Sequence, residues 1–356
     1  MRSILLAGGI ALFAALLGTR VAISLLVKSG YGQFIRDDGP TSHHTKRGTP
    51  TMGGIVIIGS VIVAYGLAHL MTWTAPTVSG LLVVYLFVGL GVVGFLDDWI
   101  KISKARSLGL NSTAKLVGQT LVAASFALAS FQFPNERGLT PASTFISFLR
   151  DLSWLNLPLW LAVLWIVFLI AAWSNAANLT DGLDGLATGA SAMVFAAYAV
   201  VNIWQYKQSC AAISTAGPQC YEVRDPYDLA VVSMALAAAC FGFLWWNASP
   251  AKIFMGDTGS LAIGGALAAL SIFTRTEILM GIVAGLFVII TLSVVLQVSY
   301  FKLTRGKRLF KMAPLQHHFE LKGWAEITIT IRFWIICGLA VSVGLGLFYA
   351  EWLVGQ

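Results

Sequence analysis

The sequence predicts an all-α polytopic membrane protein. About ten transmembrane helices form one integral-membrane unit over residues 1–356. Three observations predict it. Hydrophobic residues make up 57% of the chain and charged residues only 11%, with a mean hydropathy of +0.79, where a soluble chain carries roughly 25% charged residues. The apolar runs are continuous and about 17–25 residues long rather than alternating, so they read as helices and not barrel strands. Lys and Arg concentrate in alternate connecting loops, as the positive-inside rule requires.

The spans run in order as follows. Ile4–Val27 is apolar but lacks a charged start followed by a small-residue cleavage site, so it is kept as the first span. Gly53–Met71, Val78–Leu96, Leu116–Phe133, Leu159–Trp173, Leu186–Trp204 and Leu229–Trp246 follow as uninterrupted apolar runs. Leu261–Phe273 is short and needs residues from both flanks, and Ile278–Leu303 is long enough to break or to project beyond the bilayer. Ile327–Phe348 closes the set. The odd-numbered loops hold 15 Lys and Arg and the alternate set six. The odd loops are therefore expected to be cytoplasmic and both termini extracytoplasmic. Arg20 and Arg332 fall within spans, and Arg332 lies close enough to an end to snorkel. Cys240 and Cys337 fall in apolar runs and read as packing residues. Cys210 and Cys220 share an outer loop, where an oxidising compartment permits a disulfide.

The polar chemistry sits in the odd loops. In the first, Lys46 and Arg47 supply charge, Thr49 and Thr51 hydroxyls, and Gly53-Gly54 opens a helix, which suits a phosphate at a helix N-terminus. A basic topogenic flank is the plainer alternative. In the third, Asp97, Asp98 and Lys101 end a span. Adjacent carboxylates point in different directions on a helix, and Lys101 lies three residues after Asp98, within pairing range. Such a set handles phosphates with a metal, or forms a simple interfacial ion-pair cluster.

The fifth loop, Asn178-Leu-Thr-Asp-Gly-Leu-Asp-Gly185, is the densest polar stretch. Asn178, Asp181 and Asp184 can hold a divalent cation or read the edge of a nucleotide, while Gly182 and Gly185 permit tight turns. A loop with Asp184 as a helix cap is the bland alternative, and the spacing is not an EF-hand. The seventh loop runs from Asn247 through Phe254 to Gly256-Asp257-Thr258-Gly259. A carboxylate there can bind Mg²⁺ beside free backbone N–H groups, and Phe254 can stack on a base. A plain N-cap would also use Asp257 or Thr258. No P-loop motif exists. The ninth loop carries Gln316, His317 and His318 amid many Lys and Arg. The pair lacks further zinc ligands, so phosphate or sugar contact fits better, and the basic surroundings attract anionic lipid or a nucleotide.

Together these residues imply an anionic phosphate-bearing substrate, a hard divalent cation and a site at the cytoplasmic interface. A transporter would carry its acids mid-span. The order TPTMGG, DDxxK, NLTDGLDG, FMGDTGS and PLxHHFE, running from about Lys46 to Glu320, resembles the phospho-N-acetylmuramoyl-pentapeptide transferase (translocase I) family of the polyprenyl-phosphate N-acetylhexosamine-1-phosphate transferase superfamily. The resemblance implies transfer of phospho-MurNAc-pentapeptide from UDP-MurNAc-pentapeptide to undecaprenyl phosphate, giving lipid I and UMP with Mg²⁺. It places the reaction in peptidoglycan biosynthesis, in a plasma-membrane homodimer among membrane lipids, with no nucleic-acid partner. It implies Asp257 as a magnesium ligand with Asn178 as a second, and Asp97 and Asp98 as catalytic carboxylates. Asp184, Phe254 and Asn247 would lie at uridine, and Lys46, Lys101 and Lys115 would face phosphates. Thr51, Asn178, Asp181 and Gln316 join the substrate-binding set, while His317 and His318, through their motif, join Asp97, Asp98 and Asp257 as catalytic residues. A GlcNAc-1-phosphate transferase and a lipid-linked sugar transporter or flippase are the alternative readings. The chain departs from the family's usual HHHFE at Gln316, a residue that cannot ionise near neutral pH.

Overall fold

Long apolar runs must pair their own backbone groups, and they do so as helices. The computed structural model describes residues 1–28, 48–104, 109–211 and 219–354. Lys46 lies outside them. The chain begins with α1 (Arg2–Lys28), α2 (Gly54–Thr72), α3 (Val78–Ser103) and α4 (Ser112–Ala129). A short antiparallel hairpin, β1 (Phe145–Ser147) and β2 (Asp151–Asn156), leads into α5 (Leu159–Thr180), α6 (Leu186–Lys207), α7 (Pro226–Asn247) and α8 (Gly256–Phe273). Then come α9 (Glu277–Val283), α10 (Gly285–Leu303), α11 (Leu315–Glu320) and α12 (Glu326–Val354).

Nine helices among the described residues are long and apolar enough to cross a membrane. The predicted span Leu116–Phe133 is the 18-residue α4, whose first turns carry Lys115 and Gln119 and dilute its apolar character. The predicted span Ile278–Leu303 is broken at Ala284 into α9 and α10. α3 and α5 run past the expected ends of their apolar stretches. Asp97, Asp98 and Lys101 therefore lie on the last turns of α3, and Asn178 on the last turn of α5, rather than in loops.

α8 is the axis of the bundle, with nearly every residue buried. It meets α3 so closely that a Cβ on Gly94 would overlap the Asp257 backbone, and it meets α2 where Gly54 faces Gly259. Those two approaches fix the height of the α8 N-terminus against α2 and α3. α1 and α12 by contrast expose wide apolar faces, including Leu5, Phe13, Leu17, Ile335 and Leu339, as lipid-facing helices do.

The alternating helices gather the ends of α2, α3, α5, α6, α7 and α8 that bear the sequence motifs, together with α11, at one end of the bundle. Both termini lie at the other. There the N-terminal ammonium donates to Tyr227 Oη at 2.9 Å, and Arg150 pairs with Glu351 at 2.7 Å while donating to the Cys220 carbonyl. Cys210 and Cys220 form a disulfide at this end. Cys240 and Cys337 are buried free thiols, as the sequence suggested. The same end holds a polar knot that the sequence did not reveal: Asp228, buried in α7, accepts from Tyr65 (2.8 Å) and the Thr77 hydroxyl (2.7 Å) and pairs with His69 (2.8 Å).

Candidate active site

α3 and α8 bring Asp97, Asp98 and Asp257 together. Carboxylate oxygens of the three lie within 4.8 Å of one another. Each has a separate attachment. Asp98 Oδ2 accepts from the Thr258 backbone N–H (2.9 Å) and hydroxyl (2.7 Å), so α3 caps the first turn of α8. Asp97 Oδ1 accepts from the Leu110 N–H at 2.9 Å, and its Oδ2 lies beside the Lys101 ammonium. Asp257 Oδ1 accepts from the Asn178 amide at 2.6 Å, and its Oδ2 accepts from Lys101 (2.9 Å) and Lys115 (2.7 Å). Lys101 also stands 3.6 Å from Asp98. Two ammonium groups therefore sit among three carboxylates, and both converge on the same oxygen. Hard oxygen donors at this spacing could hold a hard divalent metal ion, and the three carboxylates fit one.

The remaining predicted residues surround this cluster. Thr51 is buried, its hydroxyl beside Gly256 and close to Asp98. Asp181 follows α5. Burial, then the charges of Asp257, Asp98 and Asp184, push its pKa up to about 8. Asp184 Oδ2 accepts from the Ala251 N–H at 3.0 Å. Asn247 donates to the Ile253 carbonyl (2.9 Å) and accepts from the Thr188 hydroxyl (2.7 Å). Phe254 is tied through its backbone to Pro50 and Gly53, at 2.8 and 2.9 Å, which joins the first and seventh loops.

The two histidines diverge. His317 Nδ1 pairs with Glu320 Oε2 at 2.6 Å, and its Nε2 faces Gly182. His318 turns away, its Nδ1 accepting from the Lys311 N–H at 3.0 Å and its ring set between Phe310 and Phe319. Burial, Lys322 and Lys311 lower its pKa. Among the described residues His318 braces its own corner rather than joining the carboxylates. Gln316 is fully buried, its Nε2 donating to the Leu179 carbonyl at 2.9 Å.

Sequence reading missed Glu320, Ser260 and Glu326. Glu320 is signalled by its i,i+3 spacing to His317. Ser260, which accepts from Asn178 at 2.9 Å, follows Asp257 by one turn of α8. Glu326 accepts from the Asp184 backbone N–H at 2.8 Å across 142 residues, a pairing with no local signal.

The model of glycosyl transferase family 4 matches residues 80–275. The first signature of the phospho-N-acetylmuramoyl-pentapeptide-transferases matches residues 46–58. A phospho-N-acetylmuramoyl-pentapeptide-transferase of Cutibacterium acnes is 65% identical over 356 residues, covering 100% of both chains. Proteins of the same name from Kineococcus radiotolerans and a Nocardioides species are 62% and 61% identical, again over 100% of both chains.

Proposed function

The chain belongs to the phospho-N-acetylmuramoyl-pentapeptide-transferase family within glycosyl transferase family 4, and from that premise we propose how its residues carry the family's reaction. The enzyme is a phosphoglycosyl transferase of peptidoglycan synthesis. It passes phospho-MurNAc-pentapeptide from UDP-MurNAc-pentapeptide to undecaprenyl phosphate, releasing UMP. An oxygen of the lipid phosphate forms a bond to the phosphorus that bears the sugar, and the bond from that phosphorus to UMP breaks.

The single observation that carries the residue assignment is the convergence of Lys101 and Lys115 on Asp257, beside Asp97 and Asp98. A phosphomonoester with a second pKa near 6 is about nine-tenths dianionic at pH 7, so a general base gains little by deprotonating it. Charge repulsion is the larger obstacle: two unit charges about 4 Å apart cost about 4 kcal/mol at an effective dielectric near 20. Lys101 and Lys115 are the groups that lower it, turning from Asp257 to phosphate oxygens. Asp257 would hold Mg²⁺, with Asn178 offering its carbonyl oxygen; the ion supplies charge neutralisation and alignment of the reacting phosphates. Asp98 holds the first turn of α8, and with it Asp257, in place. Asp97 keeps Lys101 directed into the site. Asp184, Asn247 and Phe254 form the uridine end of the donor site, and Thr51, Asp181, Gln316 and His317 its sugar-phosphate side.

The proposal extends to ten crossings with both termini outside, the reacting groups facing the cytoplasm and a homodimer in the plasma membrane. The charge bias of the loops supports the orientation, and the family resemblance supports the dimer. Lys46 belongs to the phosphate-facing set by its motif. UMP release by the purified chain with undecaprenyl phosphate and Mg²⁺ tests the reading. Release with UDP-MurNAc-pentapeptide and not with UDP-GlcNAc is expected. Release with UDP-GlcNAc alone, or with neither donor from folded protein, would overturn it.

A further inference from the structure

Asp184 is gripped from two sides. Its carboxylate accepts from the Ala251 N–H at 3.0 Å, which ties it to the loop leading to Phe254. Its own backbone N–H donates to Glu326 Oε1 at 2.8 Å, on the first turn of α12. The next residue, Gly185, stands at φ +73°, where the chain turns into α6. α11 and α12 hold the same loop at two further carbonyls: Gln316 donates to Leu179 at 2.9 Å and Trp334 to Leu186 at 3.2 Å. Those two fix the loop's ends. Glu326 alone of the three takes hold of Asp184.

We propose that Glu326 is a positioning residue for the nucleotide end of the donor, acting through Asp184. This rests on the reading that Asp184 lies at uridine. A side-chain oxygen that accepts a backbone N–H restricts the direction in which that N–H can point. It sets the direction of the Asp184 peptide, and so of the carboxylate that the Ala251 N–H receives. The competing explanation is local: an acid on the first turn of a helix interacts favourably with the helix dipole wherever it points. The two explanations make opposite demands. Positioning needs an acceptor oxygen at full side-chain reach and no charge. A dipole role needs the charge and not the reach.

The pair E326Q and E326D separates them in the full-length protein. E326Q keeps the reach and an acceptor oxygen. It is expected to hold the KM for UDP-MurNAc-pentapeptide within about twofold of the unsubstituted enzyme. E326D keeps the charge but is one methylene short. It is expected to raise that KM about tenfold, the loss of roughly one such bond, with kcat and the KM for undecaprenyl phosphate within about twofold and Tm lowered by only the few degrees that one lost bond costs. An unaltered donor KM in E326D would overturn the proposal. So would a rise confined to E326Q, or a rise accompanied by an equal-fold fall in kcat. A failure of the unsubstituted enzyme to release UMP would instead sink the proposed reaction, which keeps the two failures distinct.

Discussion

Asp98 and Thr258, 160 residues apart, are joined twice: one carboxylate oxygen takes both the backbone N–H and the hydroxyl of the threonine. This pair of hydrogen bonds across α3 and α8 places Asp257, the residue before Thr258, at a fixed height beside Asp97 and Lys101. It divides the labour of the adjacent acids. Asp98 commits one carboxylate oxygen to the scaffold, and Asp97 keeps an oxygen beside the Lys101 ammonium.

Thr258→Ala removes one of the two bonds from a buried site. It is expected to cost about 1 kcal/mol of stability and to slow turnover by loosening Asp257. Asp98→Ala leaves two buried donors unpaired and is expected to cost more. Thermal unfolding beside UMP release reads both. A D98A protein as stable as its parent would contradict the capping role.

Lys101 and Lys115 occupy the Asp257 oxygen that a divalent ion would take. Replacing Lys101 by Met keeps its length and removes its charge. In the substrate-free protein, K101M is expected to bind Mn²⁺ about three- to tenfold more tightly, while turnover falls because a phosphate-facing cation is gone. Electron paramagnetic resonance titration of Mn²⁺ measures the first effect without any activity. Weaker Mn²⁺ binding in K101M would refute the competition.

Asp181 gives a pH dependence of defined sign. Its pKa is pushed up to about 8, above the ordinary value of 3.8. The folded state thus binds its proton more tightly than the unfolded state between those values. Stability is lost as pH rises through that window. In metal-free protein, Asp181→Asn removes this loss, so its Tm advantage over the parent is expected to grow from pH 5 to pH 9. A Tm difference that is flat or shrinks with pH would refute it.

Gln316 tests what its position requires. Gln316→His retains an N–H that can meet the Leu179 carbonyl and is expected to keep turnover within a few-fold. Gln316→Leu leaves that carbonyl without its donor and is expected to lose about 1–2 kcal/mol and most activity. Gly182→Ala should mimic the loss, because a Cβ there would lie 2.7 Å from Gln316 Nε2 and 3.2 Å from His317 Nε2. Equal activities of Q316L and the parent would show that the α11 contact is dispensable.

The helical membrane architecture was legible because hydropathy is a sum over many residues and tolerates local error. The break before α10 was foreshadowed by the length of its apolar run. The carboxylate cluster was legible as a set of motifs, since Asp and Gly have few reasons to recur in a chain so apolar. Which acid caps and which faces the lysines was not, for it depends on the fit of α3 against α8 through Gly94. Adjacent histidines looked alike in sequence. They part because a helical turn sends neighbouring side chains in different directions, one to Glu320 and one to Lys311. The hairpin of β1 and β2 was hidden because its strands are only 3 and 6 residues long, and the Asp228 knot because its partners are non-local. Glu326 escaped for the same reason.

The most direct test of the central assignment is turnover of Asp257→Ala under saturating Mg²⁺, with folding verified by Tm. Loss of UMP release by a factor of about a thousand or more, not restored by added Mg²⁺, is the predicted result. A rate near that of the unsubstituted enzyme would contradict it and move the chemistry away from the meeting point of α3 and α8.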